Sequence, residues 1–290
     1  MRTHSWTVLG LPLLLFYVLA FLAPMATFLG SSLYEHAGPA RLGDGPGLIN
    51  YEQIITDSYY LEAFGRSLLF SALVALVGLP IAYPMAFFIA RSPSRLGFLV
   101  LLIAVGMLFS NAVIRSLGWR VLLSSVGPLN TFLLELGFIA TPLNLMDNYT
   151  GVMIGLVHAL LPIYVVTLIP ICQVVPHNLM RASAGLGASS WQTFWKVIFP
   201  LTRHGVAASM LLIFANSIGA FTTPVLLGGG RILLLPILIR EKVLLQLNWA
   251  IGATLATMLA ALVLGISVLV ARLSADRSIE SRIRGEGIAA

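Results

Sequence analysis

Charged side chains are scarce in this sequence: Asp, Glu, Lys and Arg together make up 10% of its 290 residues. Soluble domains carry about 25% charged residues. The chain is 58% hydrophobic with a mean hydropathy of +0.95, so it has too little polar surface to cover a water-soluble globule of its size. This composition excludes an ordinary soluble protein and indicates that the solvent is largely lipid hydrocarbon.

The sequence also has almost no cysteine and no nucleotide-binding motif of the phosphate-loop type. Cys172 is the single cysteine, which excludes an intrachain disulfide and a cysteine-based zinc site. No G-x-x-x-x-G-K-[ST] phosphate loop occurs. The triplet Gly228-Gly229-Gly230 is followed by Arg231, and we interpret it as a flexible loop on the outer side. The chain therefore cannot be its own ATPase.

Long apolar runs are what the sequence has instead. Six uncharged runs can cross about 30 Å of hydrocarbon, which takes roughly 20 helical residues; they cover residues 8–33, 67–90, 96–114, 149–175, 205–230 and 243–271. The shorter runs 121–134 and 232–239 contain Pro128 and Pro236 and are typical of interfacial or re-entrant pieces. The first run is longer than a signal-peptide core of about 7–15 residues, so we expect an uncleaved helix. We predict an all-α polytopic membrane protein with about six transmembrane helices, with seven or eight as the alternative.

The distribution of basic residues indicates the orientation. With the N-terminus inside, the inner segments hold ten Lys and Arg residues against three acidic ones, and the outer segments hold seven against eight. Because Lys and Arg concentrate in cytoplasmic loops, this pattern favours both termini in the cytoplasm. We expect a multi-pass protein of the cell inner (cytoplasmic) membrane. Basic residues lie between apolar runs rather than on one exposed face, so no nucleic-acid partner is expected.

The predicted spans contain no carboxylate. Proton-coupled carriers usually place Asp, Glu or His inside the helix bundle. The lack of carboxylates therefore makes an ion-gradient-driven secondary transporter the alternative, and not the preferred, hypothesis for the function of this chain. His158 is the clearest intramembrane ionisable group, and we expect it to be neutral and hydrogen-bonded to a neighbouring helix, with a path role as the alternative. Neither a carboxylate pair nor a His-rich cluster is present, so we predict a non-catalytic protein without catalytic, cofactor-binding or metal residues.

The segment between the fourth and fifth predicted spans, residues 176–200, is patterned as two short helices. Asn178 is a suitable cap for a first helix over 179–184. Gly185 and Gly187 then allow a tight turn, because glycine accepts positive φ at little cost.

The second helix of this segment has its own start signal. Ser189 and Gln192 match the capping box S-x-x-Q, and Pro200 is expected to break the helix before the next span. One apolar stripe with helical spacing follows the capping box and consists of Trp191, Phe194, Trp195 and Ile198. The pattern alone leaves two alternatives open: a helical hairpin that projects toward a partner, or an interfacial amphipathic hairpin without one.

The same segment resembles the EAA loop of ABC importer permeases, which reads approximately E-A-A-x-x-x-G-A-S before an aromatic residue, a branched apolar residue and a proline. The matching residues are Arg181, Ala182, Ser183, Ala184, Gly185, Leu186, Gly187, Ala188 and Ser189, then Phe194, Val197, Pro200 and Leu201. The resemblance implies that this loop is a coupling helix that docks into a cleft on a cytoplasmic ATPase, with residues 181–184 on the docking helix and Gly187 at the turn.

Arg181 departs from the motif, which usually has glutamate at this position. The charge at the implied docking surface is therefore reversed. Either the partner ATPase carries a compensating acid, or this contact is dispensable.

The rest of the chain, from residue 51 to residue 272, resembles spermidine/putrescine-type permeases within the MetI-like group. The similarity rests on four ordered strings: G-L-P-I-A-Y-P at 78–84, N-A-V-I-R at 111–115, G-P-L-N at 127–130 and W-A-I-G-A at 249–253. It implies a MetI-like permease fold with a six-helix core, a second permease subunit in a heterodimer, ATPase subunits that bind the ATP, and an external solute-binding protein. A polyamine, an amino acid or derivative, or another small polar solute is the expected cargo.

The sequence is divided into three segments, and five polar residues in or next to the predicted spans are candidates for a substrate path. The first helix and external loop are assigned to residues 1–63, the permease domain to 64–275 with its coupling loop at 176–200, and a cytoplasmic tail to 276–290. Polar residues in spans tend to face the bundle interior, where they bond to other helices or line a substrate path. The candidates for such a path are Asn111, Arg115, His158, Asn216 and Thr222.

Overall fold

The structure, a computed structural model, describes residue 12 and residues 14–92 and 94–275, apart from the side chains of residues 271 and 273–275. The predicted tail at 276–290 and the first residues of the first predicted span lie outside this part of the chain. The helices are α1 (Leu14–Leu33), α2 (Ile49–Thr56), α3 (Ser58–Arg91), α4 (Arg95–Leu108), α5 (Ala112–Leu123), α6 (Pro128–Glu135), α7 (Tyr149–Gln173), α8 (His177–Gly185), α9 (Ser190–Ile218), α10 (Thr222–Leu227), α11 (Leu235–Arg240, continued by a π-helical turn over Glu241–Leu245) and α12 (Trp249–Ala275).

The all-α polytopic prediction is confirmed. Helices α1, α3, α7, α9 and α12 are each long and apolar enough to cross a membrane. A sixth candidate is a bent pair, in which α4 is followed by residues 112–135 at an angle of 106°, the geometry of a broken span or of a re-entrant loop. Within the described residues the only β-type pairing is an isolated bridge between His36 and Leu42.

Two predicted spans had wrong boundaries because asparagine caps start new helices inside apolar sequence. The predicted span 96–114 is interrupted at residues 109–111, where the Asn111 side chain accepts a hydrogen bond from the Val113 amide (2.8 Å) and caps α5. The predicted span 243–271 begins too early, since the Asn248 side chain accepts from the Ile251 amide (3.1 Å) at the start of α12. An N-cap satisfies one of the amides that a helix start leaves free, so it fixes the boundary.

The predicted span 205–230 was also wrong at both ends. The helix begins at Ser190 and stops at Ile218, and α10 is a separate short helix. Pro224 lies in the first turn of α10, where its missing amide proton removes no helical hydrogen bond.

One compact unit consists of the chain up to Arg66 together with residues 233–263. Its apolar core is formed by α2, the start of α3, α11 and the first half of α12, with members Ile54, Tyr60, Ala63, Phe64, Leu235, Leu238, Ile251 and Leu255. Asn50 donates to the carbonyls of Ser32 and Tyr34 (2.8 Å each), and Thr254 donates to the Ser32 carbonyl (3.3 Å). These bonds fix the end of α1 in this unit.

The second unit, residues 67–232 and from 264 onward, holds both predicted sites. Helix α7 lies at its centre, where the Tyr164 hydroxyl donates to the Ala75 carbonyl of α3 (3.1 Å). A Cβ atom at Gly205 would overlap the Ile171 side chain, and one at Gly155 would overlap Leu227. Glycines therefore allow α9 and α10 to approach α7 closely, as small residues do in membrane helix packing.

Candidate coupling loop and polar path

The first part of the predicted coupling loop is an exposed helix followed by a glycine turn. Helix α8 begins one residue before Asn178, with Pro176 at the cap position, so the predicted Asn178 cap was wrong. Gly187 has φ = +81°, the left-handed conformation that glycine adopts without strain. Leu186 beside it is 89% exposed. The turn therefore presents a large apolar side chain to the surroundings of the unit.

The second part begins with the predicted capping box, which is confirmed. The Ser189 hydroxyl accepts from the Gln192 amide (3.2 Å), and the Gln192 side-chain oxygen accepts from the Ser189 amide (2.9 Å). A further hydrogen bond joins the hydroxyls of Ser183 and Thr193 (2.8 Å). It links α8 to the first turn of α9, so the two helices form one hairpin.

Pro200 does not break the second helix, contrary to the expectation. A π-helical turn over Phe194–Ile198 leads directly into Phe199–Ile218, which has Pro200 in its first turn. The Phe199 amide bonds to the Phe194 carbonyl across this widened turn. A π-turn shifts the pattern of amide–carbonyl pairs, which lets the helix continue past a residue without an amide proton. The second helix of the coupling loop and the fifth span are consequently one helix, Ser190–Ile218.

Aromatic packing attaches this helix to α3. The rings of Tyr83 and Phe194 meet edge to face with centroids 5.5 Å apart. The Tyr83 and Thr202 hydroxyls are hydrogen-bonded at 2.9 Å. The predicted stripe is therefore an anchor, with Trp191 and Trp195 also packed around Phe194.

Arg91 contacts the chain just before the start of the coupling loop, a role that the sequence did not predict. Its guanidinium donates to the Cys172 carbonyl (2.9 Å) and to the Val175 carbonyl, at the end of α7. The Cys172 carbonyl lies in the last turn of α7, which leaves its carbonyls without helical partners, and Val175 lies just beyond the end of the helix. Arg91 thus fixes the point at which the chain enters the coupling loop.

The predicted path residues on the α5 side have local partners. Asn111 is exposed and caps α5, and Arg115 donates to the Met107 carbonyl across the break (3.4 Å). The Trp119 indole donates to Nδ1 of His158 (3.0 Å). An accepting Nδ1 carries no proton, so His158 is hydrogen-bonded to a neighbouring helix as a neutral ring in this structure, as expected.

The remaining two path candidates lie around the second break. Asn216 is exposed and donates to the Leu212 carbonyl one turn earlier (2.8 Å), and Thr222 is the first residue of α10. In the described part of the chain no hydrogen bond joins two of the five candidates. The helices that carry them do meet, since Ser116 and Thr223 share a hydrogen bond (3.2 Å) and Arg120 donates to the Leu226 carbonyl (2.7 Å).

Comparison with known proteins identifies the family. The family of binding-protein-dependent transport system inner membrane components matches residues 60–281. The chain belongs to this family. It is 36% identical to the spermidine/putrescine transport system permease protein PotB of Escherichia coli (strain K12) over 223 residues, which are 77% of this chain and 80% of that protein. It is 35% identical to the PotB protein of Salmonella typhimurium (strain SL1344), over 77% of both chains.

Solved structures agree on the fold. A chain of the bacterial alginate ABC transporter, in complex with its alginate pentasaccharide-bound periplasmic protein, superposes with a TM-score of 0.76 over 94% of both chains at 16% identity. The predicted MetI-like permease fold and membership in this group of transport permeases are confirmed. This permease is therefore a multi-pass membrane protein whose relatives are permease subunits of transport systems.

Proposed function

We propose that this permease is a subunit of an ATP-driven ABC importer and that residues 176–200 couple it to a separate ATPase. The observation that carries the proposal is the exposed α8 hairpin with its left-handed Gly187. A surface with no partner in a single chain, next to a helix that continues through the membrane, is what a force-transmitting contact needs. The other residues on this docking surface are Arg181, Ala182, Ser183, Ala184, Gly185, Ala188 and Ser189.

The coupling works through rigid connections. The Ser183–Thr193 hydrogen bond and the capping box fix α8 to the start of α9. Helix α9 then runs without interruption to Ile218. Closure of the ATPase subunits displaces α8, and α9 carries this displacement into the membrane, where the permease alternates between outward- and inward-facing states.

A polyamine is the proposed cargo. The spermidine/putrescine permease PotB is named for this substrate class, and the match extends over most of both chains. The apolar runs predicted as spans contain no carboxylate to select a cationic amine, and Glu62 and Glu135 lie near helix ends, so selection rests mainly with an external binding protein. Asn111, Arg115, His158, Asn216 and Thr222 are proposed to lie along the path at the two helix breaks.

The proposed assembly contains a second permease subunit, two ATPase subunits and the external binding protein, with both termini of this chain in the cytoplasm. The division into a first helix and external loop (1–63), a permease domain (64–275) and a tail (276–290) is retained as part of this proposal. No observation favours the secondary-transporter alternative over this assembly.

Affinity purification in mild detergent, after expression with the neighbouring genes, tests the proposal. We expect an ATPase with a phosphate loop and a second permease to co-purify, and spermidine uptake to stop when the phosphate-loop lysine of that ATPase is replaced. Uptake that persists in this variant, or uptake by the chain alone that follows a proton or sodium gradient, would contradict the proposal.

A further inference from the structure

An apolar groove lies between α3 and α9, at the end of the unit that carries the coupling loop. Its volume is about 520 Å³, within the range of roughly 300–1,000 Å³ found for small-molecule sites. Its walls are mainly aromatic and include Tyr83, Phe87, Trp191, Phe194, Trp195 and Phe199. The Tyr83 hydroxyl is bonded to Thr202, so one of the few polar groups in the wall is already satisfied. Hydrocarbon is the chemistry that such a lining accepts.

The surroundings of the groove are basic. The two chain segments that build it, residues 79–95 and 176–204, contain five Arg and Lys residues and no Asp or Glu. Lys196 follows Trp195 on the same helix and is exposed. The Arg91 guanidinium lies 5.7 Å from the centre of the Phe87 ring. The ion pair between Arg66 and Glu62 involves neither segment. An anion next to the groove would meet positive charge that no carboxylate of these two segments neutralises.

We propose that this groove binds an acyl chain of an anionic phospholipid, whose headgroup phosphate lies beside Lys196. Basic pockets between membrane helices are suited to anionic headgroups. Tryptophan rings favour the headgroup level of the bilayer, and Trp191 and Trp195 are 70% and 48% exposed at this groove. The site requires only that the chain lies in a bilayer, so it does not depend on the proposed cargo.

The location gives the lipid a defined effect. Three of the lining rings, those of Phe194, Trp195 and Phe199, belong to or border the π-helical turn that joins the coupling loop to the fifth span. An acyl chain in contact with these rings stabilises the turn in the state described here. The lipid would therefore act on the same connection that transmits movement from α8.

A photo-crosslinking competition tests the site. The permease, with its co-purifying subunits, is reconstituted in phosphatidylcholine vesicles that contain a trace of phosphatidylglycerol with a diazirine on one acyl chain. We expect cross-linked peptides that cover residues 190–199, and we expect unlabelled phosphatidylglycerol to displace the label far better than added phosphatidylcholine. In Lys196→Gln this preference should fall about fivefold, since one basic residue near an anionic surface contributes about 1 kcal/mol.

A second groove in the same unit provides the control. It is lined by apolar residues that include Leu68, Ala72, Met210 and Phe214 and has a volume of about 640 Å³. Labelling there should respond equally to both competitors and should not change in Lys196→Gln. Trp191→Ala removes one exposed wall of the aromatic groove and should lower labelling of 190–199 for every headgroup.

Three results would overturn the proposal. One is equal displacement by phosphatidylglycerol and phosphatidylcholine at residues 190–199, which would make this ordinary lipid contact. Another is an unchanged preference in Lys196→Gln. The third is labelling of the control groove without labelling of 190–199 in the assembled complex, which would mean that another protein subunit covers the aromatic groove.

Discussion

The left-handed turn at Gly187 gives the sharpest test of the coupling loop. Its φ of +81° lies in the left-handed region that glycine adopts without strain, and a Cβ atom built there has no neighbour within 4 Å. A substitution therefore adds backbone strain without a steric clash. That strain is about 1–2 kcal/mol for an ordinary L-residue, and a change of this size shifts a local equilibrium by roughly 5- to 30-fold.

A graded series at this position separates strain from loss of the protein. Uptake should fall in the order Gly187→Asn, Gly187→Ala, Gly187→Val, because asparagine tolerates the left-handed region and a β-branched residue tolerates it least. For Gly187→Val we expect uptake to drop by roughly 5- to 30-fold, in proportion to the loss of the competent turn. The amount of permease in the membrane should not change, since the turn is exposed and remote from the packed helices.

The matched control is Gly185→Ala. Gly185 is the last residue of α8 and also has open space around a built Cβ, but its φ is not positive. Alanine at Gly185 adds the same methyl group to the same surface without backbone strain, so uptake should fall less than in Gly187→Ala. Transport assays in cells, normalised to membrane-embedded permease, measure both series. If Gly187→Val transports as well as Gly185→Ala, the turn does not transmit movement and the coupling argument fails.

Three further predictions concern side-chain contacts. Ser183→Ala and Thr193→Val each remove the hydrogen bond between hydroxyls that joins α8 to α9, which should destabilise the hairpin by about 1 kcal/mol. Uptake should fall in both variants, and the double variant should transport no less than either single one. Additive losses would show that the two hydroxyls act separately. Trp119→Phe leaves Nδ1 of His158 without its hydrogen-bond donor and should destabilise the permease by about 1–3 kcal/mol. The expected result is a lower unfolding temperature in detergent. An unchanged unfolding temperature would show that this hydrogen bond does not contribute to stability. Arg181→Glu should weaken co-purification of the ATPase more at low than at high salt, because an exposed charge contact is screened by ions. Arg181→Ala serves as the neutral control. Tighter binding of the Glu variant would show that the partner surface is not acidic.

Apolar length predicted which segments are helices long enough to cross a membrane, but not where those helices begin. Six runs matched five single-helix candidate spans and one bent pair, since hydrophobicity reports only that a segment is suited to lipid. The helix starts depend on local chemistry that length ignores: Asn111 and Asn248 cap new helices, and Pro224 lies in the first turn of α10. Both asparagines lie at or near the edge of an apolar run, so a search for caps within these runs would have found the two boundaries.

In the coupling loop, the sequence predicted local features but not the contacts between residues that are far apart in the chain. The capping box at Ser189 and the turn at Gly187 follow from residue type and spacing alone. The Tyr83–Thr202 bond and the contact of Arg91 with Val175 join residues 119 and 84 positions apart. Such pairs depend on how helices pack, and no periodicity in a single sequence indicates them. The anchoring of the loop therefore had to come from the structure.

The continuity of α9 connects the two halves of the functional hypothesis. A helix from Ser190 to Ile218 has 29 residues and extends about 43 Å at 1.5 Å per residue, enough to reach from the coupling loop to the far side of the hydrocarbon. It ends at the break before α10, and α10 packs against α5 through the Ser116–Thr223 and Arg120–Leu226 bonds. Helix α5 in turn follows the other break, at residues 109–111. A displacement of α8 would therefore reach both breaks through one helix and one packed pair.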